Sequence, residues 1–134
     1  MFYVDANQTL FVSEYAYSLK PTEKSDVYSL GIVLMELVSG KMPTDATFGV
    51  DIDMVRWVES RMEGSEREEI IDPALKPIMP AEEHAALQVL EIAIECTKTS
   101  PQERPSSRQV CDQLLHVFNH RTVDFGKQNV HSYA

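Results

Sequence analysis

Residues Thr22 to Gly40 constrain the chain most, because they spell a helix with both ends marked and almost no polar flank. Thr22 stands where an N-cap belongs, and Glu23 and Asp26 put negative charge in the first turn, where the helix dipole favours it. Gly40 supplies the residue past the end that tolerates a left-handed backbone. Val27, Leu30, Leu34, Leu37 and Val38 recur at helical spacing and make one apolar face. Ile32, Val33 and Met35 make the other faces apolar as well, so the pattern predicts a core helix wrapped by others. Each such side chain contributes roughly 1.5–3 kcal/mol when fully buried, enough for this segment to anchor a domain.

The 134 residues suffice for one modest core around that helix. A hydrophobic content of 43% and a charged content of 25% are those of an ordinary globular protein. The formal net charge of −9, with no lysine/arginine block, disfavours nucleic acid and anionic membrane as partners. The apolar run inside the first helix ends at Glu36, far short of the ~20 residues a membrane span needs. The start, Met1-Phe2-Tyr3-Val4-Asp5, lacks the basic region and the apolar length of a signal peptide. Cys96 and Cys111 lie on helical segments without metal-ligand spacing and read as buried free thiols in a reducing compartment. The expectation is a soluble, cytoplasmic chain without direct membrane insertion.

After the first helix, Lys41 to Asp51 carries Pro43 and Gly49 and reads as a loop. Asp53 to Met62 predicts a short helix with Met54, Val55, Trp57, Val58 and Met62 as its apolar members. Glu63 to Pro80 reads as a surface run pinned by Ile70, Ile71 and Leu75. Ala81 to Thr97 predicts a helix with the stripe Ala86, Val89, Leu90, Ala93 and Cys96, broadened by Leu87, Ile92 and Ile94. Ser106 and Gln109 form a capping-box pair for a last helix reaching about Asn119, with Val110, Leu114, Val117 and Phe118 toward the core. Residues 121–134 read as a polar, disordered tail. No repeat and no strand alternation is visible, and the fold class expected is all-α.

Three stretches resemble a known family, in the family's order. Asp26-Val27-Tyr28-Ser29-Leu30-Gly31 is similar to the motif opening the central helix of the protein-kinase C-terminal lobe. Glu14-Tyr15-Ala16 resembles the end of the kinase Ala-Pro-Glu motif, with Val12-Ser13 in place of Ala-Pro. Pro101-Gln102-Glu103-Arg104-Pro105-Ser106 resembles the Pro-x-x-Arg-Pro-Ser segment near the end of kinase domains. Gly40-Lys41-Met42-Pro43-Thr44-Asp45, Trp57-Val58, Ile71-Asp72-Pro73 and Cys96-Thr97 resemble plant leucine-rich-repeat receptor-like serine/threonine kinases, closest to the GASSHO subgroup. The likeness covers residues 12–120. Residues 1–11 do not match it and read as an alternative start or exon boundary, where the sequon at Asn7 is a chance match.

The resemblance implies the helical C-lobe part of the protein-kinase-like fold without the N-lobe β-sheet. It implies no catalytic, cofactor-binding or metal-binding residue in this chain, and structural roles for Glu14, Arg104, Asp26 and Gly31. Glu14 matches a glutamate that forms a buried ion pair with the arginine matched by Arg104; two unrelated surface charges is the alternative. Asp26 matches an aspartate that braces the catalytic loop, or acts here only as first-turn helix charge. Kinase chemistry needs a glycine-rich loop, a strand lysine, a catalytic-loop Asp and Asn, and a metal-binding Asp. Gly31, Gly40, Gly49, Gly64 and Gly126 contain no Gly-x-Gly pair. Asp124-Phe125-Gly126 and His120-Arg121-Thr122 spell parts of kinase motifs but follow, rather than precede, Glu14, and read as chance. His84, His116, His120 and His131 share no ligand spacing with the cysteines, and His116 is placed at the core edge.

The expectation is therefore a partial kinase domain, inactive alone, whose parent transfers the γ-phosphate of ATP with Mg²⁺ at the cytoplasmic side of the plasma membrane. Protein partners are expected through C-lobe surfaces. In such a lobe the segment before the activation loop covers part of the central helix, so some of Val27, Leu30, Ile32, Val33, Leu34 and Met35 should face water here. A stand-alone interaction module that competes for partners of a full-length kinase is the alternative.

Overall fold

The computed structural model describes residues 22–132, with side chains through His120. Among the described residues four helices carry the architecture: α1 (Glu23–Ser39), α2 (Met54–Glu63), α3 (Pro80–Cys96) and α4 (Ser107–Ser132). Short 3₁₀ turns at Ala46–Phe48, Arg67–Ile70, Pro73–Leu75 and Pro101–Glu103 punctuate the connections, and no strand occurs among the described residues. Residues 1–11, Glu14 and the connector before Thr22 lie outside the described residues.

Local chemistry sets the helix ends. Thr22 Oγ1 accepts from the Ser25 amide at 3.2 Å, and Gly40 closes α1 at φ 69° with its amide on the Glu36 carbonyl at 2.8 Å. Asp53 caps α2 through the Arg56 amide at 2.8 Å. At α4, the Ser106 amide donates to Gln109 Oε1 at 2.8 Å while the Gln109 amide donates to Ser106 Oγ at 3.1 Å, a reciprocal capping box. The helix then continues to Ser132 rather than stopping near Asn119. No proline interrupts that stretch, and each added residue gains a backbone bond once the helix has started.

The core gathers Val27 and Met35 of α1, Met54 and Val58 of α2, Ile70 and Ile71, Leu90, Ala93 and Cys96 of α3, and Val110 of α4. α1 presents Val27, Gly31, Leu34, Met35 and Val38 inward, a face rotated from the one its apolar pattern suggests. The pivot is Gly31. A Cβ there would lie 2.6 Å from Thr97 Cγ2, 2.8 Å from Cys96 Cβ and 2.9 Å from the Ala93 carbonyl oxygen, so the absence of one lets α3 close against the α1 backbone. Leu30 and Ile32 are left half-buried, Val33 is 46% exposed and Leu37, expected inside, is 69% exposed. α1 is thus covered on one side only among the described residues.

Several other expectations change. Ile70 and Ile71 do pin the segment before α3, helped by the Asp72 amide donating to the Val38 carbonyl at 2.9 Å, but Leu75 is 50% exposed. Phe118 is 56% exposed, lining an open hollow between α3 and α4 with Ala86, Val89 and Val117 instead of entering the core. Cys96 is buried, as expected, and Cys111 is exposed. His116 is exposed at the rim of another hollow between α3 and α4 that the core residues Ile92 and Val117 also line, one turn from His120.

Candidate functional site

The stretch between α3 and α4 folds back over the first turn of α1, and Arg104 is its centre. Pro101 opens a 3₁₀ turn and Pro105 follows the arginine, so the backbone around Arg104 has little freedom. Its guanidinium donates from Nε to the Lys98 carbonyl at 2.7 Å and from Nη2 to the Thr99 carbonyl at 3.4 Å. These lie just past the end of α3, where carbonyls lack helical partners and a cation suits the dipole. Nη1 donates to the Lys24 carbonyl at 3.0 Å, 80 residues away in sequence. Lys24 answers with Nζ donating to the Arg104 carbonyl at 2.5 Å. The guanidinium also lies over the Tyr28 ring, 4.9 Å from its centroid, as a cation–π contact.

Beside this latch, Glu23 reaches across to the start of α4. Its Oε1 accepts from the Ser107 amide at 2.8 Å and from Ser107 Oγ at 2.9 Å. The amide bond first, and the hydroxyl bond second, hold the Glu23 carboxyl below its ordinary value, with desolvation opposing and Lys24 adding slightly. Burial pushes the Tyr28 hydroxyl up, with nearby Asp53 adding and Arg104 opposing.

Of the four residues singled out in the sequence, Arg104 and Gly31 both brace α1, from opposite stretches of its surroundings: Gly31 under α3, Arg104 over the first turn. Asp26 is exposed on that first turn and forms no ion pair among the described residues. Glu14 lies outside the described residues, and no described carboxylate pairs with Arg104. Lys24, Tyr28 and the Glu23–Ser107 contact were not foreseen. Tyr28 lies inside the motif Asp26–Gly31 and Glu23 and Lys24 just before it, but their partners Arg104 and Ser107 lie far along the chain, where spacing gives no signal of contact.

No group of three metal-ligating side chains stands together among the described residues. The backbone of His120-Arg121-Thr122 and of Asp124-Phe125-Gly126 lies within α4. No helix among the described residues is long and apolar enough to cross a membrane.

The family model "Protein tyrosine and serine/threonine kinase" matches residues 9–114. The LRR receptor-like serine/threonine-protein kinase GSO1 of Arabidopsis thaliana is 71% identical over 116 residues, covering 85% of this chain and 9% of that protein. GSO2 of the same plant is 64% identical over 116 residues, covering 84% of this chain and 9% of that protein. The chain therefore spans about a tenth of the length of the curated relatives it matches. Among solved structures, the pseudokinase domain of BIR2, an immune regulator of the RLK/Pelle family, superposes with a TM-score of 0.66 at 25% identity, over 88% of this chain and 35% of that one.

Proposed function

The chain belongs to the protein tyrosine and serine/threonine kinase family, and from that premise we propose that it is the helical floor of a receptor-like kinase's C-terminal lobe, supporting phosphoryl transfer without performing it. The latch at Arg104 carries this reading: the Pro-x-x-Arg-Pro segment is spent on fastening the head of the central helix, with every contact going to backbone or to an aromatic face. The parent kinase would move the γ-phosphate of ATP, with Mg²⁺, to serine or threonine hydroxyls of proteins at the cytoplasmic side of the plasma membrane.

ATP and Mg²⁺ do not fit the residues described here. A phosphate cradle needs glycines free to turn their amides toward the ligand. Gly31 is packed under α3, Gly40 and Gly49 hold positive-φ turns, and Gly64 ends α2. The nucleotide site accordingly belongs to the parent's other segments. Titrating the purified chain with ATP and Mg²⁺, beside a labelled-phosphate transfer assay, is expected to show neither saturation nor incorporation; saturable micromolar binding would overturn the reading.

The exposed Val33 and Leu37 favour a second reading, a stand-alone module that competes for partners of a full-length kinase. A cooperative, monomeric melt without hydrophobic-dye binding would support it, while dye binding and self-association that vanish on adding the preceding lobe segment would support the floor. Glu14 is placed in the same proposal as the carboxylate partner of Arg104, whose guanidinium retains N–H groups beyond those the three carbonyls accept. A double-mutant cycle that returns purely additive losses would remove Glu14 from it.

A further inference from the structure

The side chains of His116 and His120 on α4 carry chemistry that a scaffold role leaves unused. They stand four residues apart on one helix, both exposed, with near-parallel rings (25° apart) and centroids 5.9 Å from each other. Two imidazoles one helical turn apart on one face are a spacing at which a helix can chelate a transition metal. A tetrahedral ion with bonds of about 2.0–2.1 Å needs its two nitrogens roughly 3.3 Å apart, which side-chain rotation on a fixed helix can supply.

The surroundings suit a cation. One turn earlier, Asp112 shares a hollow of about 440 Å³ with His116, and Glu91 and Glu95 of α3 line its other wall. Arg67 pairs with Glu91 at 3.0 Å and Lys98 approaches Glu95 at 3.8 Å, whereas Asp112 has no ion pair among the described residues. Asp112 can therefore act through a water on a bound ion.

We propose that His116 and His120 form a two-imidazole site for a divalent transition-metal ion (zinc, nickel or copper), with water in the remaining positions. Imidazole nitrogen selects these ions over magnesium, which demands oxygen ligands. Coordination engages neutral imidazole nitrogens, and Glu91, Glu95 and Asp112 are the charged groups lining the hollow beside His116.

The full chain would be titrated calorimetrically with Zn²⁺, Ni²⁺, Cu²⁺ and Mg²⁺, alongside H116Q, H120Q and C111S, with the histidine ring protons followed by NMR. Cys111 needs its control because its thiol is also exposed on α4. The expected result is one-to-one saturable binding of the three transition metals and none of Mg²⁺. Binding should be lost in either histidine variant, kept in C111S, and accompanied by perturbed ring signals of both histidines. Both side chains are exposed, so the glutamine variants should keep the parent's helical circular dichroism. An absence of saturable binding, binding that survives either histidine substitution, or binding that requires Cys111 would overturn the site.

Discussion

Replacing Gly31 by alanine sets two effects of opposite sign against each other. In a helix interior, alanine is favoured over glycine by about 0.8–1.0 kcal/mol. Against this, the new methyl would meet Thr97 Cγ2 at 2.6 Å, Cys96 Cβ at 2.8 Å and the Ala93 carbonyl oxygen at 2.9 Å, where ordinary contact begins at 3.4 Å. α1 and α3 must therefore separate locally by 0.5–0.8 Å, the difference between 3.4 Å and the 2.9 and 2.6 Å contacts. Gaps of that size forfeit a quarter to a half of the dispersion well between the atoms pushed apart, and overpacking of this kind typically costs about 1–3 kcal/mol. Two of the three obstacles, a Cβ and a carbonyl oxygen, are fixed by the α3 backbone, so relaxation by side-chain rotation is closed. With three such contacts made at once, the cost lies in the upper half of that range, about 2–3 kcal/mol, and the clash wins by a net ~1–2 kcal/mol. With a urea dependence of about 2 kcal/mol per molar, the middle of the usual range, the unfolding midpoint followed by circular dichroism should drop by roughly 0.5–1 M. Thr97→Ser removes the nearest atom and keeps a hydroxyl that can still donate to the Ala93 and Ile94 carbonyls, so the double variant should recover part of the loss. Gly64→Ala is the control, since nothing lies within 3.7 Å of a Cβ there, and it should be neutral or slightly stabilising. A Gly31→Ala chain as stable as the parent would refute the close-packed seam.

Arg104→Ala removes three carbonyl contacts and the Tyr28 stack, and urea melts should show a loss of about 2–3 kcal/mol, discounted for partial exposure. Arg104→Lys should restore little, because an ammonium cannot span the three carbonyls; full rescue would count against the latch. The Glu23 carboxyl is held below its ordinary value by Ser107, so its stabilisation is present above the unfolded pKa and lost as pH falls through the lowered folded one. Glu23→Gln should accordingly flatten the acid limb of stability measured below about pH 4.5, and an unchanged limb would show the contact to be inert. A thiol reagent should label Cys111 at once and Cys96 only on unfolding, since Cys96 is buried and its thiol is pushed up by that burial. Two equally fast thiols in the native chain would contradict the packing around Cys96.

What could be read in advance was what neighbours in sequence decide. Thr22, Gly40 and the Ser106–Gln109 pair act within one turn of themselves, and their roles were legible from residue type and spacing. The inward rotation of α1 was not, because glycine contributes no apolar side chain to a periodicity count, yet Gly31 is where the partner helix comes closest. Leu37, Leu75 and Phe118 failed for a related reason: spacing shows that residues share a side, while only the neighbour's position decides whether that side is covered. At Arg104 the motif was visible by resemblance, but its acceptors are backbone carbonyls, which every residue has and none advertises.

The Glu23–Ser107 contact makes one amide proton a clock for the chain's last closure. These two residues are separated by 84 positions, and nothing local protects the Ser107 N–H, which belongs to the helix's first turn and has no intrahelical acceptor. Bringing such distant positions together loses loop entropy that grows only slowly with length, but contacts of that sequence separation form late when local ones are plentiful. In pulsed hydrogen exchange during refolding, the amides within α1 and α3 should therefore gain protection first and Ser107 last. Its native-state exchange would then report the opening of the latch region separately from the unfolding of the helices it joins.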